Sequence, residues 1–221
     1  MTQGEISVIV KDIIEESPNV KSFKLFSIDG YELPMFSGGS HITTYMNPPN
    51  QETIVRTYSL INNSNKTGYY QIAIQLHDNS KGGAYYWHNH VKPGDCLKIS
   101  YPGNYFLLSF QAQHHVFVAT GIGITPFLSM IEDIDRTKET FELHYAAKSK
   151  EMCAFYQFLK TNYPEHVNFY FSEAGNKMTT ELLKNQSTGT HVYLCGSDEM
   201  MNEFSKAATA LGYPGKSIHF S

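Results

Sequence analysis

The segment Gly121-Ile122-Gly123-Ile124-Thr125-Pro126 follows an apolar run, Val116-Phe117-Val118-Ala119, and its residue types suit one kind of chemistry. Two glycines let a backbone turn tightly, and a proline fits the first turn of a helix. Such a turn aims helix N–H groups at an anion, so a pyrophosphate can sit there. The third glycine of the dinucleotide fingerprint is absent, and GxG alone is equally an ordinary strand–helix turn. A second apolar run, Val192-Tyr193-Leu194, ends alike in Cys195-Gly196-Ser197 before a helix. In an open α/β sheet ligands bind beyond the carboxyl ends of the strands, which would put Cys195 at the crevice of Gly121 and Thr125. The plain alternative is a buried core cysteine. Earlier in the chain stands Arg56-Thr57-Tyr58-Ser59. Arginine offers a fixed fork for phosphate, tyrosine a flat face for a ring system, and serine a short hydroxyl. Ser80-Lys81-Gly82-Gly83-Ala84 precedes a short helix pattern and could add a second anion contact, or be a flexible turn.

These residues sit in two stretches with different grammar. Residues 7–10, 20–26, 41–45, 69–76 and 96–100 alternate β-branched or aromatic with polar residues, as strands do. Asp29-Gly30, Asn47-Pro48-Pro49-Asn50, Asn62-Asn63-Ser64-Asn65 and Lys92-Pro93-Gly94-Asp95 punctuate them. Short strands with turns between them predict an antiparallel β-barrel, with one short helix over 84–90. From residue 114 the pattern predicts strands at 116–119, 141–146, 167–171 and 192–195. Helices are predicted at 127–135, 153–162, 180–184 and 198–211. That alternation makes a doubly wound parallel sheet. The fold class is therefore two-domain: a β-barrel over residues 1–110 and an α/β domain over 111–221.

Composition excludes several alternatives. The 221 residues are 41% hydrophobic, enough for a real core, and 17 basic residues mix with 21 acidic ones for a net charge of −4. No basic run exists to follow a nucleic-acid backbone. No apolar stretch approaches the roughly 20 residues that span a bilayer, and no leader pattern opens the chain. Cys96, Cys153 and Cys195 are three, scattered and without a CxxC pair, so no disulfide framework or cysteine-held cluster is expected. His88 and His90 flank Asn89, but no further ligand lies at metal spacing, so no metal site is expected. Glu151, Glu173 and Asp198 read as loop acids, and Tyr85-Tyr86-Trp87 as core packing. A cytoplasmic monomer is the expectation.

In combination, Arg56-x-Tyr58-Ser59, Gly121-Ile122-Gly123-Ile124-Thr125-Pro126 and Cys195-Gly196 resemble the ferredoxin–NADP reductase superfamily in order and spacing across nearly the whole chain. Within it the likeness is to the reductase components of phthalate dioxygenase and vanillate demethylase. Ser37-Gly38-Gly39-Ser40-His41-Ile42, Lys92-Pro93-Gly94-Asp95, Pro102-x-Asn104-x-Phe106 and His144-Tyr145-Ala146-Ala147-Lys148-Ser149 add to it. The resemblance implies an NAD(P)H-dependent flavin reductase, with the flavin on the barrel and the nicotinamide on the α/β domain. FMN (alternative FAD) and NADH (alternative NADPH) are the implied cofactors. An iron–sulfur protein or oxygenase component is the implied electron acceptor.

By the same resemblance, Arg56 holds the flavin phosphate, and Thr57, Tyr58 and Ser59 meet the ring and its N5 edge. Lys81, Gly82, Gly83 and Ala84 complete the phosphate cradle, and Ile74 belongs to the flavin set. Gly121, Gly123, Thr125 and Pro126 line the dinucleotide, and Cys195 and Gly196 lie beside the nicotinamide. Cys195, Ser59 and Thr125 are the implied catalytic set. The chain departs from the family pattern in five places. Thr120 replaces a usual glycine, Lys81 an arginine, Ala84 a serine and Ser197 a proline. The sequence also stops at Ser221, before the usual Glu-x-aromatic tail, which leaves the flavin edge open. The competing readings are a flavin-binding regulatory or assembly subunit without turnover, and a nicotinamide-binding domain beside an empty barrel.

Overall fold

The computed structural model describes residues 4–49, 52–65, 68–135 and 139–221. Asn50, the last residue of one expected turn, lies outside them, as do residues 1–3. The first half contains β1 (Glu5–Ser17), β2 (Val20–Ser27), β3 (His41–Met46), β4 (Ile54–Ser59), β5 (Tyr70–Gln75), α1 (Gly83–Asn89) and β6 (Cys96–Ser100). The strands pair antiparallel in the order β4-β3-β6-β1-β2-β5. An isolated bridge between Leu60 and Ile72 joins the two edges and closes the barrel. Among the described residues no ladder joins β4 to β5 beyond that bridge, and residues of both strands line one cleft along the β4 edge. β1 is longer than its alternation predicts because register shifts after Val10 and Glu15 break the period of two.

The second half contains β7 (His114–Thr120), α2 (Thr125–Ile134), β8 (Thr140–Ala147), α3 (Tyr156–Asn162), β9 (Val167–Phe171), β10 (Thr190–Cys195), α4 (Asp198–Ala210) and β11 (Ile218–Phe220). Their order is β11-β10-β7-β8-β9, all parallel. Residues 115–119 of β7 are buried, as a central strand covered on both faces must be. Strand order reverses between β7 and β10, and a crevice opens at such a switch point.

Three expectations need correction. The helix predicted over 153–162 begins only at Tyr156, because Phe155 takes a left-handed backbone with φ 61°. The helix predicted over 180–184 is a single 3-10 turn, Thr180–Leu183. β11 was not predicted at all. It is held from outside: His219 stacks on Tyr193 with centroids 4.3 Å apart, and its Nε2 lies 2.9 Å from His191 Nδ1. Burial pushes His219 down to about 4, so this pair is neutral at pH 7.

The two halves share a core. Val20, Ile61, Ala73 and Phe106 from the first half pack in one cluster with Phe117, Phe127, Met130 and Tyr193. Phe106 is the wedge, 5.9 Å from the Phe127 ring and 5.8 Å from that of Tyr193. Burying a side chain of that size contributes about 1.5–3 kcal/mol, so the contact fixes how the halves sit together. Polar ties add to it along α2. The Gly38 N–H donates to Asp133 Oδ2 at 2.6 Å and the Gly39 N–H to Ser129 Oγ at 3.1 Å. Ser64 Oγ donates to Asp133 Oδ1 at 2.6 Å, and Asn63 Nδ2 to Glu132 Oε2 at 2.7 Å.

Candidate active site

The cleft along the β4 edge holds about 360 Å³, and its walls come from both halves. Arg56, Thr57, Tyr58 and Ser59 form one wall, Ile74 another, and Lys81, Gly83 and Ala84 the end. Ile122 and Thr125, at the head of α2, reach into it from the second half. The pleat sets the directions. Arg56 and Tyr58 pair with Thr44 and Ile42, while Thr57 pairs with Thr43, their Oγ1 atoms 3.3 Å apart on the opposite face. Arg56 is exposed, and its Nη1 donates to the Val55 carbonyl at 2.7 Å. Tyr58 stands edge-on to the buried Trp87, and burial pushes its phenol up to about 12, so it stays a neutral hydroxyl. A Cβ at Gly83 would lie 2.6 Å from Arg56 Cγ and 3.1 Å from the Tyr58 hydroxyl, so the start of α1 can pack there only as glycine. No side chain caps that helix start. A guanidinium, an ammonium and uncapped amides thus border a cleft whose other walls carry the Tyr58 ring, Ile74 and polar groups such as Ser59, Gln75 and Thr125. That donor set suits a phosphate attached to a ring system.

A second pocket, of about 300 Å³, lies on the other face of β4. Thr57 and Ser59 belong to both, and His41, Tyr105 and Phe220 complete this one. β11 therefore brings an aromatic wall to the place where an open edge was expected. The Ser221 N–H, hydrogen-bonded to the Leu194 carbonyl at 3.2 Å, carries that pairing past Phe220.

The crevice at the carboxyl ends of the parallel strands holds about 520 Å³. Thr120, Ala147, Tyr170, Lys177, Ser197 and Glu203 are among its walls. The two turns beneath it cross in close contact: a Cβ on Gly123 would come within 2.1 Å of the Cys195 carbonyl oxygen. Thr120 Oγ1 accepts the Ser197 N–H at 3.0 Å, tying the ends of β7 and β10. Ser197 Oγ caps α4 by accepting the Met200 N–H at 3.3 Å, and Asp198 and Glu199 occupy the favourable first turn. Cys195 is half-buried between the turns, and burial raises its thiol to about 11. A larger hollow of about 740 Å³ lies at the amino ends of the strands, beside Thr190 and His191. Size does not make it the reaction site, because ligands of open α/β sheets bind at the other end.

The structure thus gathers Arg56, Thr57, Tyr58, Ser59, Ile74, Lys81, Gly83, Ala84 and Thr125 around one cleft. Gly82 adjoins it as the residue before α1. Gly121, Gly123, Cys195 and Gly196 build the crossing turns, while Thr120 and Ser197 face the crevice. Pro126 is buried in the first turn of α2 and lines neither cavity. The Thr125 hydroxyl donates to the Ile122 carbonyl at 2.9 Å. Reading by motif missed Ala73, Gln75 and His77 in the cleft and Tyr170 and Lys177 in the crevice. The pleat of β5 was the available signal for Ala73 and Gln75. His88 lies 2.8 Å from the Ile74 carbonyl, His90 meets Tyr85 edge-on and Tyr86 at a tilt, and Glu173 pairs with Lys148 at 3.4 Å. Among the described residues no group of three or more His, Cys, Asp or Glu side chains could hold a metal ion, and no helix is long and apolar enough to cross a membrane.

Residues 100–218 match the family described as dimethylamine monooxygenase subunit DmmA-like, N-terminal domain, and residues 22–106 the siderophore-interacting FAD-binding domain. A carnitine monooxygenase reductase subunit from Escherichia coli is 36% identical over 96% of this chain and 67% of its own length. A vanillate O-demethylase oxidoreductase from Acinetobacter baylyi is 34% identical, over 97% and 67%. The chain belongs to the oxygenase-reductase family. It spans about two thirds of the length of these relatives. Phthalate dioxygenase reductase superposes with a TM-score of 0.90 at 27% identity, covering 99% of this chain and 68% of that one. The protein is a flavin-dependent, nicotinamide-linked oxidoreductase with the ferredoxin-reductase fold.

The thiols of this reductase separate by environment. Cys96 is exposed, whereas burial raises Cys195 to about 11 and Cys153 to about 12. Only thiolates alkylate. Iodoacetamide at pH 7.5 should therefore modify the folded reductase once, at Cys96, as read by peptide mass. Rapid labelling of Cys195 would show an acidic, open thiol instead.

Proposed function

We propose that the protein carries electrons from NADH through one flavin, bound along β4, to a separate one-electron acceptor, an oxygenase component or an iron–sulfur protein. In this reading residues 1–110 hold the flavin and 111–221 the nicotinamide. The observation that carries it is the shared cleft: Ile122 and Thr125, from the turn that begins the nicotinamide half, face the same space as Arg56, Tyr58 and Ser59. Arg56, Lys81 and the Gly82-Gly83 amides hold the phosphate. Tyr58, Ile74 and Ala84 support the ring, and Thr57 and Ser59 offer hydroxyls to its edge. Gly121, Gly123 and Gly196 let the dinucleotide approach the strand ends, and the neutral Cys195 thiol packs beside the nicotinamide as a positioning group. The bound flavin supplies the redox chemistry, accepting a hydride and passing electrons on singly. The protein supplies orientation, with Ile122 in the wall of the cleft and Phe106 and Phe220 in that of the adjoining pocket.

FAD is favoured over the FMN of the sequence reading, because the family matched by the barrel residues is described as FAD-binding. NADH is favoured by charge: Glu199 and Glu203 line the crevice with Lys177, and Lys148 nearby is engaged by Glu173. A 2′-phosphate would meet acids there. A penalty of about 1.4 kcal/mol makes kcat/KM about tenfold lower for NADPH. The test is a preparation whose pigment is released by heat and identified by mass, and which bleaches anaerobically with NADH. A folded, colourless protein would favour the nicotinamide-binding domain with an empty barrel. A yellow protein inert to both nucleotides would favour the subunit without turnover.

A further inference from the structure

We infer that Asp133 is a positioning residue for hydride transfer, acting through a clamp that locks the barrel onto α2. This rests on the reading above, in which flavin and nicotinamide bind to different halves and must meet. The two ends of α2 do different work. Its head presents Ile122 and Thr125 to the flavin cleft. Two turns later, the carboxylate of Asp133 accepts two barrel donors at once, the Gly38 N–H on Oδ2 and the Ser64 hydroxyl on Oδ1, each at 2.6 Å. Ser129 holds the next amide, Gly39, and Asn104 Nδ2 donates to the Gly38 carbonyl at 2.9 Å. Gly38, Gly39, Ser64 and Ser129 are buried and Asp133 is half-buried, so the Gly39–Ser129 bond is enclosed and the two Asp133 bonds are partly shielded from water.

The clamp sits close to the ring-binding strand by sequence. Gly38 and Gly39 lead into β3, which pairs with β4 from His41↔Ser59 to Met46↔Ile54. One rigid path therefore runs from Asp133 through Gly38 to Ser59, and another along α2 to Thr125. The clamp sets the distance between the ends of these two paths, and hydride transfer is sensitive to that distance. Reacting atoms must approach to about 3–3.5 Å, and a misplacement of about 1 Å costs on the order of 100-fold. Asp133 touches neither cleft, so its loss should leave each cofactor's own contacts in place.

The experiment uses the flavin-loaded full chain with Asp133→Ala, Asp133→Asn and Ser64→Ala. Stopped-flow reduction by NADH gives the limiting rate and the apparent nucleotide affinity separately. The long-wavelength charge-transfer absorbance reports ring-on-ring geometry without turnover. Asp133→Ala is expected to lower the limiting rate about tenfold and weaken the charge-transfer band, with flavin content and apparent affinity held within about twofold. Asp133→Asn should recover at least about half of the wild-type rate, because its amide oxygen accepts from Gly38 and its NH2 donates to a reversed Ser64 hydroxyl. If Asp133→Ala does not fold, Ser64→Ala carries the test with an expected fall of about threefold. Unchanged limiting rates and band in Asp133→Ala, or in Ser64→Ala where that carries the test, would overturn the inference. So would a loss of rate in Asp133→Asn as deep as in Asp133→Ala. Wild-type protein that NADH does not bleach would instead overturn the proposed function, leaving the two failures distinct.

Discussion

Arg56→Ala should purify as a folded protein whose flavin affinity has fallen about 10- to 100-fold, read by ultrafiltration of the pigment and by titration with added flavin. The magnitude follows from losing charge-assisted hydrogen bonds to a phosphate, at about 1.5–3 kcal/mol. Folding should survive because Arg56 is exposed on an edge strand, and its β4 neighbours keep their pairing with β3 through backbone groups. Its side-chain bond to the Val55 carbonyl leaves that acceptor to water when the side chain is removed. Arg56→Lys should recover only part of the affinity, since an ammonium lacks the planar fork. Lys81→Ala is the informative companion: Lys81 is also exposed at the cleft end, but it supplies a point charge alone. Undiminished pigment in Arg56→Ala would mean that the phosphate lies elsewhere and the cleft has been misread.

Gly123→Val should strongly destabilise the crossing turns beneath the crevice. The new Cβ would fall 2.1 Å from the Cys195 carbonyl oxygen and 2.8 Å from the Gly196 nitrogen. Both are backbone atoms at the ends of central strands, which cannot swing aside as a side-chain tip can. Overpacking of this kind costs about 1–3 kcal/mol or somewhat more. For a chain of this size each kcal/mol is worth about 2–4 °C, so Tm should drop by about 5–10 °C. NADH binding should weaken beyond what stability explains, because the turn that holds the dinucleotide is the part displaced. A variant with wild-type Tm and wild-type NADH titration would show that the turns have more room than they display.

How much of this was legible beforehand depended on whether local chemistry or distant packing decided each element. The GxG turn, the Arg56–Ser59 strand and the parallel grammar from residue 114 onward announce themselves through glycine, proline and apolar runs. The three residues of β11 do not, because His219 is a poor strand signal until Tyr193 and His191 are beside it. α3 starts late because of the left-handed Phe155, which no pattern of polarity encodes. The five departures from the family pattern were visible, but their sense was not. Thr120 stood only as the replacement of a usual glycine, and the structure shows its hydroxyl engaged in a hydrogen bond. The missing tail read as an open flavin edge, and Phe220 lines a pocket shared with Thr57 and Ser59.

The bond from the Ser197 N–H to Thr120 Oγ1 also makes two of those departures into one. A proline at 197 has no N–H to donate, and a glycine at 120 has no hydroxyl to receive one. Neither replacement alone creates the tie, so the two positions are not free to drift separately. Serine at 197 by itself still caps α4 through its hydroxyl. Threonine at 120 beside a proline would set its hydroxyl between the strand ends without that N–H donor. Grafting either residue singly into a relative with glycine and proline should therefore transfer half of a pair.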